Sequence, residues 1–192
     1  CAEGNTYRGG IRLTENINEI RFMEKAKNII NKYFDKKSTI GLRKSRNTSY
    51  LNCSSTDLEV FFKNTFGQYC YEKNAPTFFL RLDEDLQRAF YNGVYDGDGS
   101  KTKKSKVIRI TSKNLIILLR QILINLEIPN SLKIHNSYTG KDGIVRRESY
   151  SLRELKESSK CFFENIGGNI SMLQRIDEIT LEKYNEFVYD IS

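Results

Sequence analysis

The sequence predicts an α+β fold built from two copies of one unit, and three observations carry that expectation. An acidic residue followed by glycine occurs twice, as Glu3-Gly4 and as Asp98-Gly99. Each pair leads into a basic, strand-like stretch, ending Ile11-Arg12-Leu13-Thr14 in the first case and Ile108-Arg109-Ile110-Thr111 in the second. Each stretch then gives way to a helical pattern and a hairpin, so the order of elements repeats as well as the residues.

In the first copy the helix is expected over Asn18 to Phe34, because Ile20, Met23, Ala26, Ile30 and Phe34 recur at three- and four-residue steps and form one apolar stripe. A basic hairpin follows from Ser38 to Ser55, and a further helix from Asp57 to Phe66 with Thr56 as its N-cap. In the second copy the helix covers Asn114 to Leu126, is denser in apolar residues, and should be more deeply buried. Its hairpin, Ser131 to Leu152, turns at Thr139-Gly140-Lys141-Asp142-Gly143, where glycine tolerates positive φ. A helix over Asp83 to Tyr95 precedes the second acidic junction, with Leu86, Ala89, Phe90, Gly93 and Val94 along its packing face. The small residues Ala89 and Gly93, four apart, would let a second helix come close.

Composition narrows the class of function. The 192 residues carry 31 Lys and Arg against 24 Asp and Glu, a formal charge of +7 that suits a polyanionic partner. Cys1, Cys53, Cys70 and Cys161 form no CxxC pair, which argues against a zinc site or a secreted disulfide framework and for reduced thiols inside a cell. The longest apolar run, Leu115 to Leu119, is stopped by Arg120, far short of the roughly 18 to 20 residues a bilayer requires. No membrane partner is expected.

The most informative stretch is Phe90-Tyr91-Asn92-Gly93-Val94-Tyr95-Asp96-Gly97-Asp98-Gly99-Ser100. Its Asp96-Gly97-Asp98-Gly99 segment is not a calcium loop, since the sixth position would be Lys101 and the twelfth Val107, where that loop needs glycine and a bidentate glutamate. It is either a polar helix stop or a pair of functional acids. The whole stretch resembles the LAGLIDADG motif of homing endonucleases, and Ala2-Glu3-Gly4-Asn5 resembles the end of a second copy of that motif. The resemblance implies two pseudo-symmetric repeats of the αββαββα type, each with an antiparallel DNA-binding sheet. It also implies that Glu3 and Asp98 are the catalytic, metal-binding acids, with Asp96 a helix-end residue. Two helices packed through small residues would bring their terminal carboxylates together, and a hard divalent cation, Mg2+, would relieve the repulsion.

Lys73-Asn74-Ala75-Pro76 resembles the Lys-x-x-Pro block of intein endonucleases, which implies a charge-stabilising role for Lys73. A solvated loop lysine is an equal reading of that position. The expected DNA-binding residues are Arg8, Arg12, Arg43 and Arg46 in the first repeat and Lys104, Lys106, Arg109, Lys133, Arg146 and Arg147 in the second. Strand alternation would place them on one surface, with Tyr7, Asn47, Tyr50, Asn136 and Tyr138 among them.

The tail Phe187-Val188-Tyr189-Asp190-Ile191-Ser192 resembles the Val-Tyr-Asp-Leu block that opens the C-terminal half of an intein splicing domain. Cys1 is not the splicing nucleophile, because no Thr-x-x-His block follows it and the sole histidine is His135. The expected organisation is a first repeat over 1–68 that begins inside its motif helix, a linker over 69–83, a second repeat over 84–170, and the start of a splicing segment over 171–192. The implied function is a site-specific, intein-encoded endonuclease that cuts double-stranded DNA as a monomer, embedded in its host protein before splicing. A non-catalytic nucleic-acid-binding relic and an RNA maturase on the same fold are the alternatives.

Overall fold

The computed structural model describes residues 4–101, 105–156 and 161–174. Glu3, Lys104 and most of the expected splicing tail lie outside them.

The first unit opens with strands β1 (Gly4–Tyr7) and β2 (Gly10–Asn16), followed by a 3-10 turn and helix α1 (Ile20–Tyr33). Strands β3 (Thr39–Arg43) and β4 (Thr48–Ser54) and helix α2 (Thr56–Phe66) complete it. The second unit begins with helix α3 (Glu84–Asp98), strands β5 (Gly99–Lys101) and β6 (Lys106–Ile110), and helix α4 (Lys113–Asn125). Strand β7 (Asn130–His135), the short pair β8 (Tyr138–Thr139) and β9 (Val145–Arg146), and β10 (Ser149–Glu154) come next. A separate hairpin, β11 (Cys161–Ile166) and β12 (Asn169–Gln174), ends the described chain. That hairpin includes positions 170 and 171, on either side of the expected boundary, and its β12 packs on α4.

The duplication is visible in the topology. The two four-stranded antiparallel sheets have the orders β1-β2-β4-β3 and β5-β6-β10-β7, so corresponding strands occupy corresponding places. The expected α+β class with antiparallel sheets is what the chain adopts.

Local chemistry sets the ends of the elements. Ser112 caps α4, its hydroxyl accepting from the Leu115 amide at 3.2 Å, and Asn16 accepts from Asn18 at 3.0 Å to start the turn before α1. The cap of α2 is Ser55, accepting from Leu58 at 3.3 Å, rather than the expected Thr56, which is the first helical residue. Both are good capping types, and only the extended backbone of Ser55 points its hydroxyl back at the helix. Gly67 ends α2 with φ of 78°, and a Cβ there would run into the Glu72 carbonyl.

Each unit has its own core beneath its sheet. Ile11, Met23, Ile30, Leu51, Cys53 and Leu58 fill the first; the larger second centres on Ile108, Leu115, Leu119, Ile122, Leu123 and Leu152. Burial raises the Cys53 thiol above its usual range, as suits an inert core cysteine. A row of rings joins the two cores: Phe62 to Phe66 at 5.7 Å, Phe66 to Phe79 at 6.5 Å, and Phe79 to Phe90 at 4.3 Å.

Helix α3 divides its faces between the core and the open side where the small residues Ala89 and Gly93 would admit a second helix. Gln87, Tyr91 and Val94 turn into the core, whereas Leu86, Ala89 and Gly93 are exposed, and a Cβ added at Gly93 would meet nothing within 4 Å. Gln87 is buried because its amide is satisfied, donating to the carbonyls of Leu82 at 2.7 Å and Leu80 at 3.3 Å and accepting from Asn125 at 3.2 Å. Apolar periodicity alone could not assign a glutamine to the core. In the second unit α3 packs against β6 and α4. In the first, the corresponding space beside β2 and α1 is an apolar groove of about 290 Å³, lined by Ile11, Leu13, Phe22, Ala26, Ile30 and Phe34 together with Gly4 and Lys73.

An acidic junction and a candidate nucleic-acid interface

Helix α3 delivers Asp98 to its last turn, where Gly99 closes the helix by donating its amide to the Tyr95 carbonyl. Close packing requires glycine at this position, because a Cβ would strike both that carbonyl and the Tyr95 ring. Asp98 is half-buried and Asp96 exposed, and the Asp98 carboxylate has no hydrogen-bond or ion-pair partner among the described residues. Among those residues no three His, Cys, Asp or Glu side chains converge as a metal cluster. A hard divalent cation fits the chemistry of the Asp98 oxygens.

Behind this junction the sheet is braced by charge. Lys106 lies 3.7 Å from Glu154 and its ammonium sits 5.2 Å from the centre of the Tyr95 ring. Burial, followed by the Glu154 carboxylate, pushes the Tyr91 phenol well above its ordinary pKa. Lys106 therefore faces the helix side of β6, in the same alternation class as Ile108 and Ile110, and not the open surface where the sequence reading put it. Counting back from Ile108 in steps of two would have shown this.

Alternation also defines the opposite, open face of each sheet. On the first, Arg12 is the hub: its Nε donates to Asn52 Oδ1 at 2.7 Å, and its guanidinium carbon lies 5.4 Å from the Tyr7 ring and 5.7 Å from the Tyr50 ring. Arg43 approaches Tyr50 from the other side of the register, at 5.2 Å. Arg8 and Arg46 are exposed in the turns that flank these strands. Asn47 instead holds the left-handed end of the 3-10 turn, φ 51°, and its carbonyl accepts from Ile17 at 3.1 Å. Its role in the turn explains the residue type.

On the second sheet Arg109, Ser151 and Lys133 lie in register across three strands. Arg109 donates to Ser149 Oγ from Nε at 3.2 Å and from Nη2 at 3.1 Å, while His135 Nε2 is 2.9 Å from Ser151 Oγ. Desolvation and then the positive field of Arg109 and Lys133 hold the His135 imidazole below its ordinary pKa. Arg146 is tied to Asp142 by two bonds, at 2.9 and 2.7 Å, and Arg147 sits 4.0 Å from the Tyr71 ring. Asn52 and Arg153 share these open faces and were missed from sequence, although both follow from strand alternation with Tyr50 and Ser151. Lys73 is placed with Gly4 along the first unit's groove, and its carbonyl accepts from Ser112 Oγ, so the linker is tied to the N-terminus of α4.

Residues 85–167 match the family model of the LAGLIDADG-like domain. The matched span runs from α3 into the turn of the β11–β12 hairpin and includes Asp98. The fold resembles that of the homing endonuclease I-DmoI. Mesophilic variants of I-DmoI align with a TM-score of 0.53 and 23% identity, over 80% of this chain and 79% of theirs. The structure of I-DmoI in complex with DNA and Mn aligns with a TM-score of 0.52 and 23% identity, over 80% of each chain. A DNA polymerase from Thermococcus sp. (strain GE8) is 23% identical over 219 aligned residues, covering 91% of this chain. The chain spans 12% of the length of that polymerase. Among the described residues no helix is long and apolar enough to cross a membrane.

Proposed function

We propose that this chain is the core of a site-specific endonuclease that makes a metal-dependent double-strand break in DNA and is encoded within an intein. The observation that carries the reading is the pairing of each open, basic sheet face with an acidic-glycine junction at the start of its first strand, on a fold shared with I-DmoI. Rows of Arg, Lys, Tyr and Asn on two antiparallel sheets supply cations for phosphates and hydrogen-bonding groups for base edges of a duplex. The intein setting is supported by the DNA polymerase relative, in which the matching segment is a small fraction, 12%, of a much longer chain.

On this reading Asp98 and Glu3 hold divalent metal, which we take to be Mg2+; the I-DmoI complex contains Mn. A bound cation of this kind polarises the scissile phosphate and lowers the pKa of a water. The chain's own residues supply position. Gly99 and Tyr95 fix the end of α3 and hence the Asp98 carboxylate, Arg12, Arg43, Arg109 and Lys133 neutralise the phosphate backbone, and Lys73 stabilises developing negative charge. The active species is a monomer whose internal pseudo-symmetry replaces a dimer, and it resides inside the cell within its host protein until splicing.

The decisive experiment is incubation with a randomised duplex library with and without magnesium, followed by sequencing of the cut ends. Magnesium-dependent ends at one recurrent sequence are expected; tight binding without any ends would move the assignment to a binding relic or a maturase. The interface makes its own prediction. Arg12→Ala should weaken binding across all duplex sequences and reduce the slope of log affinity against log salt by about one, as loss of a single phosphate contact does. An unchanged slope in a fluorescence-anisotropy salt titration would remove Arg12 from the interface.

A further inference from the structure

The linker between the units carries a feature that the sheets and the acidic junction leave unused. Tyr69 and Tyr71 are stacked in the open, ring centroids 5.7 Å apart and planes within 7°, with 53% and 40% of their surfaces exposed. A turn closed by the Glu72 amide donating to the Tyr69 carbonyl at 2.9 Å brings the two rings together. Chain segments on either side are pinned, since Asn74 donates to the Phe66 carbonyl at 3.0 Å and Ser112 Oγ donates to the Lys73 carbonyl. The rings are therefore held, not loosely exposed, in a position that burial alone would disfavour.

The guanidinium of Arg147 adds a third flat, cationic group, 4.0 Å from the Tyr71 ring centre. Among the described residues it has no carboxylate partner, in contrast to Arg146 with Asp142. Its place in the fold is informative: Arg147 stands two residues before Ser149, whose hydroxyl anchors Arg109 on the open face of the second sheet. The stack thus borders the surface proposed for DNA, beside the N-terminal end of β10. Planar aromatic faces beside an unpaired guanidinium are what an unstacked nucleobase requires, because every base has a π-face and a neighbouring phosphate.

We propose that Tyr69, Tyr71 and Arg147 form a stacking platform that receives a base unstacked from the bound duplex beside the N-terminal end of β10. The inference rests on the DNA-binding reading above and adds that the protein distorts its target. It is tested by fluorescence anisotropy with two short duplexes of the same sequence, one fully paired and one carrying a mismatch bubble. The unsubstituted chain should prefer the bubble by about tenfold, the scale of one base stacked on an aromatic side chain. Tyr69→Ala/Tyr71→Ala should lose that preference while keeping its affinity for the paired duplex, and Tyr69→Phe/Tyr71→Phe should keep both. A bubble preference that survives the double alanine change, or that is absent from the unsubstituted chain, would overturn the platform. Equal weakening toward both duplexes would overturn it too, since a mere brace between linker and β9–β10 loop behaves that way. Failure to bind either duplex would instead overturn the DNA-binding reading, and the platform with it.

Discussion

Asp98→Asn should abolish cutting while leaving duplex binding nearly intact. The carboxylate stands at the end of α3 with no protein partner among the described residues, so replacing it with an amide of the same shape disturbs no contact of the fold. On the proposed function, what it removes is the hard anionic oxygen that would hold a divalent cation. Loss of the several kcal/mol that metal supplies to the transition state corresponds to a rate decrease of about a thousandfold or more, at roughly 1.4 kcal/mol per tenfold. Binding should change little, because the same proposal assigns affinity to the sheet faces and not to the junction. Cleavage rates and anisotropy on the same duplex separate the two effects. Cutting at the unsubstituted rate would show that Asp98 is not a metal ligand, and Asp96 would be the next residue to replace.

The second large effect concerns stability. Leu119 is fully buried in the second unit's core, on the helix α4 that packs against α3 and β10, and Leu119→Ala should cost about 3 kcal/mol, within the range for leucine truncation in a packed core. Against the ~5–15 kcal/mol that typically holds a domain folded, such a loss is severe. The comparison is Ile29→Ala on α1, whose side chain is 43% exposed and whose truncation should fall within about 1 kcal/mol. Urea unfolding followed by far-UV circular dichroism gives both values. If the Leu119 variant unfolded at the same urea concentration as the Ile29 variant, α4 would not be the keystone of the second unit.

Much of this architecture was legible in the residues. The spacing of Met23, Ala26 and Ile30, the apolar density of α4, and the return of an acid-glycine pair before a basic strand define two copies of one unit. Lys106 was legible too, since strand parity with Ile108 puts it on the helix side of β6, beside Glu154 and the Tyr95 ring. What the sequence concealed has definite physical causes. Gln87 was invisible as a core residue because its burial depends on carbonyls of Leu80 and Leu82, which only the turn before α3 brings into reach. The Tyr69–Tyr71 stack depends in the same way on a turn closed by backbone atoms. Side-chain patterns report periodicity within one element, and they are silent about groups that meet across two.

The ring row from Phe62 through Phe66 and Phe79 to Phe90 is the seam along which the two units meet. If each sheet reads half of a target, this seam acts as a ruler: it stores the gap between two half-words of text, and neither reading surface contains that information. Letters in each half could then drift by substitution on the open faces, without cost to the cores, while the spacing stayed constant. A lineage searching for a new address would keep its punctuation and rewrite only the words.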